Sequence, residues 1–160
     1  LEYEGPVYMR TGRSGTKRIL DESYRFEIGK GQVLRAGSDV TIIGCGVMVA
    51  RALDAADRLA ALGVSARVVN MSTIKPIDSE LVAKCAAETQ GIVTAEDHNI
   101  FGGLGSAVAE VVVKNQPVPM EFVGVNDSFG ESGEPPELAK KYGIDADGIF
   151  NGVRRLLERV

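Results

Sequence analysis

Val40-Thr41-Ile42-Ile43, stopped by Gly44-Cys45-Gly46, opens the part of the chain from which the fold is read. Four apolar or β-branched residues ended by a glycine turn suit a strand buried on both faces. Residues 47–62 then change period. Val49, Leu53, Ala56 and Ala60 share one helical face, while Arg51, Asp54, Asp57 and Arg58 fall mostly elsewhere. Gly63 is placed to end that helix. Outward from this unit the alternation repeats. Strands are expected at 66–71, 91–96 and 120–125. Helices are expected at 79–88, capped by Asp78, and at 104–114. A short helix opened by Pro135-Pro136 follows, then a last one over 146–159, capped by Asp145. Strands alternating with helices predict an α/β fold. Its form is a three-layer α/β/α sandwich around a mostly parallel, Rossmann-like sheet, with right-handed crossovers.

The N-terminal residues do not follow this alternation. Residues 5–11, Gly-Pro-Val-Tyr-Met-Arg-Thr, read as a short strand. The charged, glycine-rich stretch after it reads as a connector, with one small strand or hairpin around 24–35. The expected organisation is therefore residues 1–14 as the end of a preceding domain, 15–38 as connector and 39–160 as the main domain. The chain opens with Leu1, which reads as a fragment or a processed chain.

Composition narrows the class. The chain has 160 residues, 44% hydrophobic and 25% charged, enough for one domain with a substantial core. A net charge of -4 and a pI near 5.1 argue against nucleic acid or anionic membrane as partners. Cys45 and Cys85 sit among apolar residues and read as free thiols of a reducing compartment, so a cytoplasmic location is expected. Neither a bilayer-crossing stretch nor a signal peptide is read from the sequence.

Gly44-Cys45-Gly46 stands where dinucleotide folds place a phosphate loop, but Val49 replaces the third small residue of that fingerprint. Asn70-Met71 stands where an acidic ribose partner would be. A tight turn is the plainer reading. A free-standing nucleotide-binding or regulatory module remains an alternative, with any regulator binding at Gly44–Gly46. Glu96-Asp97-His98, followed by Gly102-Gly103-Leu104-Gly105, ends a strand on the edge where open parallel sheets bind ligands. The three polar residues could do acid–base work or touch a metal. Successive side chains at a strand end point apart, however, so a hydrogen-bonded loop or an interface is expected instead. Arg10 and Arg13 flank Thr11-Gly12 and offer forked donors for a phosphate or carboxylate. No nucleophile–base pair, cysteine–histidine metal cluster or Walker loop is present in the sequence, so no catalytic residue is assigned.

Read together, the motifs carry a resemblance. Thr73-Ile74-Lys75-Pro76-Ile77-Asp78, Thr94-Ala95-Glu96-Asp97-His98, Gly102-Gly103-Leu104-Gly105-Ser106-Ala107, Ser132-Gly133-Glu134-Pro135-Pro136-Glu137-Leu138 and Tyr142-Gly143-Ile144-Asp145 occur in register. In that order they resemble the C-terminal domain of transketolases. Gly5 to Arg13 is similar to the last strand of that family's pyrimidine-binding domain. The resemblance implies a part of a thiamine-diphosphate, Mg2+-dependent enzyme that moves a two-carbon ketol unit between sugar phosphates. It also implies that this part scaffolds and packs a dimer, binds no cofactor by itself and is inactive alone. Arg13, with Arg10 beside it, would grip the phosphate of the substrate. Glu96, Asp97, His98, Gly102 and Gly103 would lie in a loop near the subunit boundary. The C-terminal domains of deoxyxylulose-phosphate synthases and of 2-oxoacid dehydrogenase beta subunits are similar, and a pure assembly domain is a further alternative.

Overall fold

The computed structural model describes residues 3–12 and 15–160. Five strands form one sheet: β1 (Gln32–Arg35), β2 (Val40–Gly44), β3 (Ala66–Asn70), β4 (Ile92–Asn99) and β5 (Met120–Val125). Five helices accompany them: α1 (Met48–Ala60), α2 (Ser79–Glu88), α3 (Leu104–Asn115), α4 (Pro135–Lys141) and α5 (Ala146–Leu157). The spatial order is β1-β3-β2-β4-β5, parallel throughout except for the antiparallel β1 at one edge.

Alternation along the strands divides the core in two. Val40 and Ile42 of β2, Ala66 and Val68 of β3, and Val93 and Ala95 of β4 face one way, into a cluster completed by α1 and α5. Ile43, Val69 and Ile92 face the other way, against Val82 and Cys85 of α2 and Leu104 and Val108 of α3. A central strand buried on both sides must be apolar or have its polar atoms paired, as the Thr41 hydroxyl is with that of Thr89 at 3.1 Å, which is why 40–43 shows no alternation of its own. The expected three-layer α/β/α sandwich is the observed one.

Helix starts follow the side chains foreseen for them. Asp78 accepts from Leu81 N at 3.1 Å, and Asp145 accepts from Gly148 N at 2.8 Å. Two helices end earlier than expected, whereas α2 ends at Glu88 as expected and α3 runs one residue further, to Asn115. α1 stops at Ala60 before a turn through Gly63, and α5 stops at Leu157, because last turns loosen where no further packing holds them. The small strand expected around 24–35 is β1, paired to β3 within the same sheet. Gly31 N donates to Asp78 Oδ2 at 3.0 Å, so the carboxylate that caps α2 also ties down the chain entering β1.

Residues 5–11 are a correction. They form no strand, since no described segment offers them a backbone ladder. Val7, Tyr8 and Met9 are exposed, Tyr8 to 91%.

Candidate functional site at the carboxyl edge of the sheet

The chain leaves β2 for α1 and β3 on one side of the sheet, then crosses through α2 to β4 on the other. The carboxyl ends of β2 and β4 therefore flank the point where strand order reverses, the place where open α/β sheets receive ligands. Gly44-Cys45-Gly46 ends β2 there. Gly46 has a φ of +55°, so the chain turns tightly into α1. Met48 N donates to Cys45 O, and Val49 N to Gly46 O. The turn thus consumes two of the amides that a phosphate would need. Burial pushes the Cys45 thiol up to about 11; the carboxylates of Glu96 and Asp97 add to the rise and Arg10 opposes it.

On β4 the ladder to β5 is interrupted between Ala95 and Asn99, so Glu96, Asp97 and His98 occupy a break in register. Such breaks re-aim side chains. Glu96 continues the face of Ile92 and Thr94 and turns beneath α3. Its Oε2 accepts from Leu104 N and its Oε1 from Gly105 N, both at 2.8 Å, with 2% of the residue exposed. These amides belong to the first turn of α3, whose positive end favours a carboxylate. Gly103 carries no capping side chain, so Glu96 caps the helix from the neighbouring strand. Asp97 points elsewhere. Its carbonyl accepts from Arg10 Nη1 at 2.6 Å and its Oδ2 from Arg10 Nη2 at 3.3 Å. His98 turns outward; its Nδ1 donates to Asn99 O at 2.7 Å and lies 3.8 Å from Glu96 Oε2. The three adjacent polar residues do not converge on one point, although His98 Nδ1 stays within ion-pair distance of Glu96 Oε2.

The loop beyond is stitched by residues that the sequence reading did not single out. Asn99 Oδ1 accepts from Phe101 N, Asn99 Nδ2 donates to Asp127 Oδ1, and Ser106 Oγ accepts from Gly102 N. The available signal was an Asn and a Ser bracketing a glycine turn, where short polar side chains bond to nearby backbone. Gly102 and Gly103 thus lie in this loop, while Arg13 lies outside the described residues. Phe129, at 98% exposure, stands on the following loop, with its carbonyl held by Tyr142 Oη.

Among the described residues no three His, Cys, Asp or Glu side chains come together as metal ligands. Both oxygens of the buried Glu96 are committed to α3. The donor set on this edge therefore does not fit a metal–diphosphate group. No described helix is long and apolar enough to cross a membrane.

Comparison with known proteins places this arrangement. A family model described as transketolase, C-terminal domain, matches residues 29–149. The 6-deoxy-6-sulfo-D-fructose transketolase subunit of Clostridium sp. (strain MSTE9) is 46% identical over 159 residues, which cover 99% of this chain and 49% of that protein. A putative transketolase C-terminal section from Methanocaldococcus jannaschii is 46% identical over 162 residues, 99% of this chain and 49% of that protein. A solved split-gene transketolase, described as an inactive β4 tetramer, superposes with a TM-score of 0.95 at 51% identity, covering 98% of this chain and 52% of that one. The chain spans about half the length of the curated relatives it matches.

Proposed function

This chain belongs to the transketolase C-terminal domain family, and on that premise we propose that it completes a thiamine-diphosphate enzyme whose reactive parts lie in other domains or a partner subunit. The reaction is transfer of a two-carbon ketol unit between anionic sugars. Homologues in this family are thiamine-diphosphate enzymes, and the cofactor supplies the carbanion chemistry when bound. This chain contributes a rigid parallel sheet and a loop, residues 96–106, that packs against a partner in a homodimer of the complete enzyme. It is inactive alone and works in the cytoplasm. Residues 1–14 are the end of the pyrimidine-binding domain, 15–38 the connector and 39–160 the C-terminal domain.

One observation carries the proposal: near-complete coverage of this chain by relatives of which it spans only half. Two relatives are named for a sulfo sugar and for apulose 4-phosphate. Sulfonate and phosphate are both tetrahedral oxyanions, the group an arginine fork suits. Arg13 and Arg10 accordingly grip the anionic end of the substrate. Arg10 commits two of its five donors to Asp97, which leaves others to turn toward an anion. Deoxyxylulose-phosphate synthase stays as a second reading, because the Heliobacterium modesticaldum enzyme is 41% identical over 161 residues, 99% of this chain and 25% of that protein.

The test is reconstitution with the domains or subunit that carry the cofactor. Ketol transfer is expected only from the combination. Tight thiamine-diphosphate binding and turnover by the 160-residue chain alone would overturn the proposal. In the active combination, Arg13→Ala should raise KM for phosphorylated sugars far more than for unphosphorylated ones. Equal rises would remove the phosphate role.

A further inference from the structure

We infer that Asp97 is a positioning residue for the anionic end of the substrate, acting through the Arg10 guanidinium that it holds at the carboxyl edge of β4. The inference rests on the reading above, in which arginines of the N-terminal segment grip that group. Residues 3–12 make no ladder with the sheet, and Val7, Tyr8 and Met9 lie exposed. Among the described residues, the contacts that hold the Arg10 guanidinium are those to Asp97.

One residue presents two acceptors. The Asp97 carbonyl, 2.6 Å from Nη1, is fixed in a strand end; the carboxylate Oδ2, 3.3 Å from Nη2, meets the other arm of the fork. Two contacts to two arms set both the position and the plane of a guanidinium, where one contact leaves it free to swivel. The pair is half exposed, 55% for Arg10 and 46% for Asp97, so its contribution to stability is small. What it does supply is orientation. The guanidinium surrenders its rotamer freedom before substrate arrives, and its uncommitted N–H groups stay available to an oxyanion. The neighbouring strand end is closed to a phosphate by its own turn bonds, which leaves Arg10 as the described cation at this edge tied to β4.

The complete, reconstituted enzyme tests this with a ketopentose 5-phosphate and the matching free ketopentose, read as the ratio of their KM values. Asp97→Ala should shift the ratio against the phosphorylated sugar about tenfold, the size of one charged hydrogen bond. Asp97→Asn keeps an acceptor oxygen and should restore most of the loss. Arg10→Lys keeps the charge without the fork and should shift the ratio in the same direction. The double variant Arg10→Ala/Asp97→Ala should add nothing to Arg10→Ala alone, since Asp97 acts only through Arg10. A wild-type ratio in both Asp97→Ala and Arg10→Lys, beside a shifted ratio in Arg10→Ala, would overturn the positioning role and leave the parent reading intact. Wild-type ratios in both Arg10→Ala and Arg13→Ala would remove the parent reading itself, and the positioning role with it.

Discussion

A Cβ placed on Gly103 would lie 1.9 Å from Glu96 Oε2, so the residue before α3 is glycine because a carboxylate from β4 occupies the space a side chain would take. The same oxygen accepts from Leu104 N. Strand end and helix start are thus locked by one buried carboxylate, and the loop at the candidate site hangs from that lock.

Removing the lock has a defined cost. Glu96→Ala leaves two buried amides without an acceptor and should destabilise the chain by roughly 2–4 kcal/mol. Gly103→Ala should cost a comparable amount by expelling the carboxylate. Because both break one interaction, the double variant should fall well short of their sum. Urea unfolding of the four proteins checks this, and simple additivity would show that the two residues act separately.

Asp78 and Asp145 separate a cap from a cap with a second duty. Asp145 serves Gly148 N, whereas Asp78 serves both Leu81 N and Gly31 N. Asp145→Ala should cost about 1 kcal/mol. Asp78→Ala should cost about 1 kcal/mol more, because the Gly31 amide also loses its partner. Hydrogen exchange should in addition speed up around β1 only in the Asp78 variant.

The Cys45 thiol titrates near 11 in the folded chain, against 9.0 for an unperturbed thiol. At pH 8 its thiolate fraction is about 100-fold below that of an unperturbed thiol, so alkylation by iodoacetamide should slow to a similar degree relative to the unfolded chain. The sign for stability follows. The folded state holds the proton more tightly, so this contribution is intact below pH 9 and is lost as pH climbs toward 11. Cys45→Ala should flatten that loss. An alkylation rate equal to that of the unfolded chain would contradict the partly buried, raised Cys45 thiol.

Much of the fold was legible because it rests on short-range physics. Residues 40–43 show no polar–apolar alternation because the strand lies between two layers, with the hydroxyl of the buried Thr41 paired to that of Thr89. The period of 47–62 marks a helix but misplaces part of its face: Ala60 is exposed, while Ala52, Ala55 and Leu59 are buried beside Val49 and Ala56. Asp78 and Asp145 are readable caps because the amides they serve lie three residues ahead. The same local logic failed at residues 5–11. A β-rich composition makes a strand only when another strand stands beside it, and none of the described ones does.

The sequence by itself determined the order and type of the elements from β2 onward, where most helices begin, and that the glycine turn after β2 lacks a full nucleotide fingerprint. Only the tertiary structure decided where three consecutive polar residues go: Glu96 under α3, Asp97 to Arg10 and His98 outward. Periodicity and caps follow from sterics over a few residues, whereas a side chain's partner 87 positions away depends on which elements the folded sheet brings together.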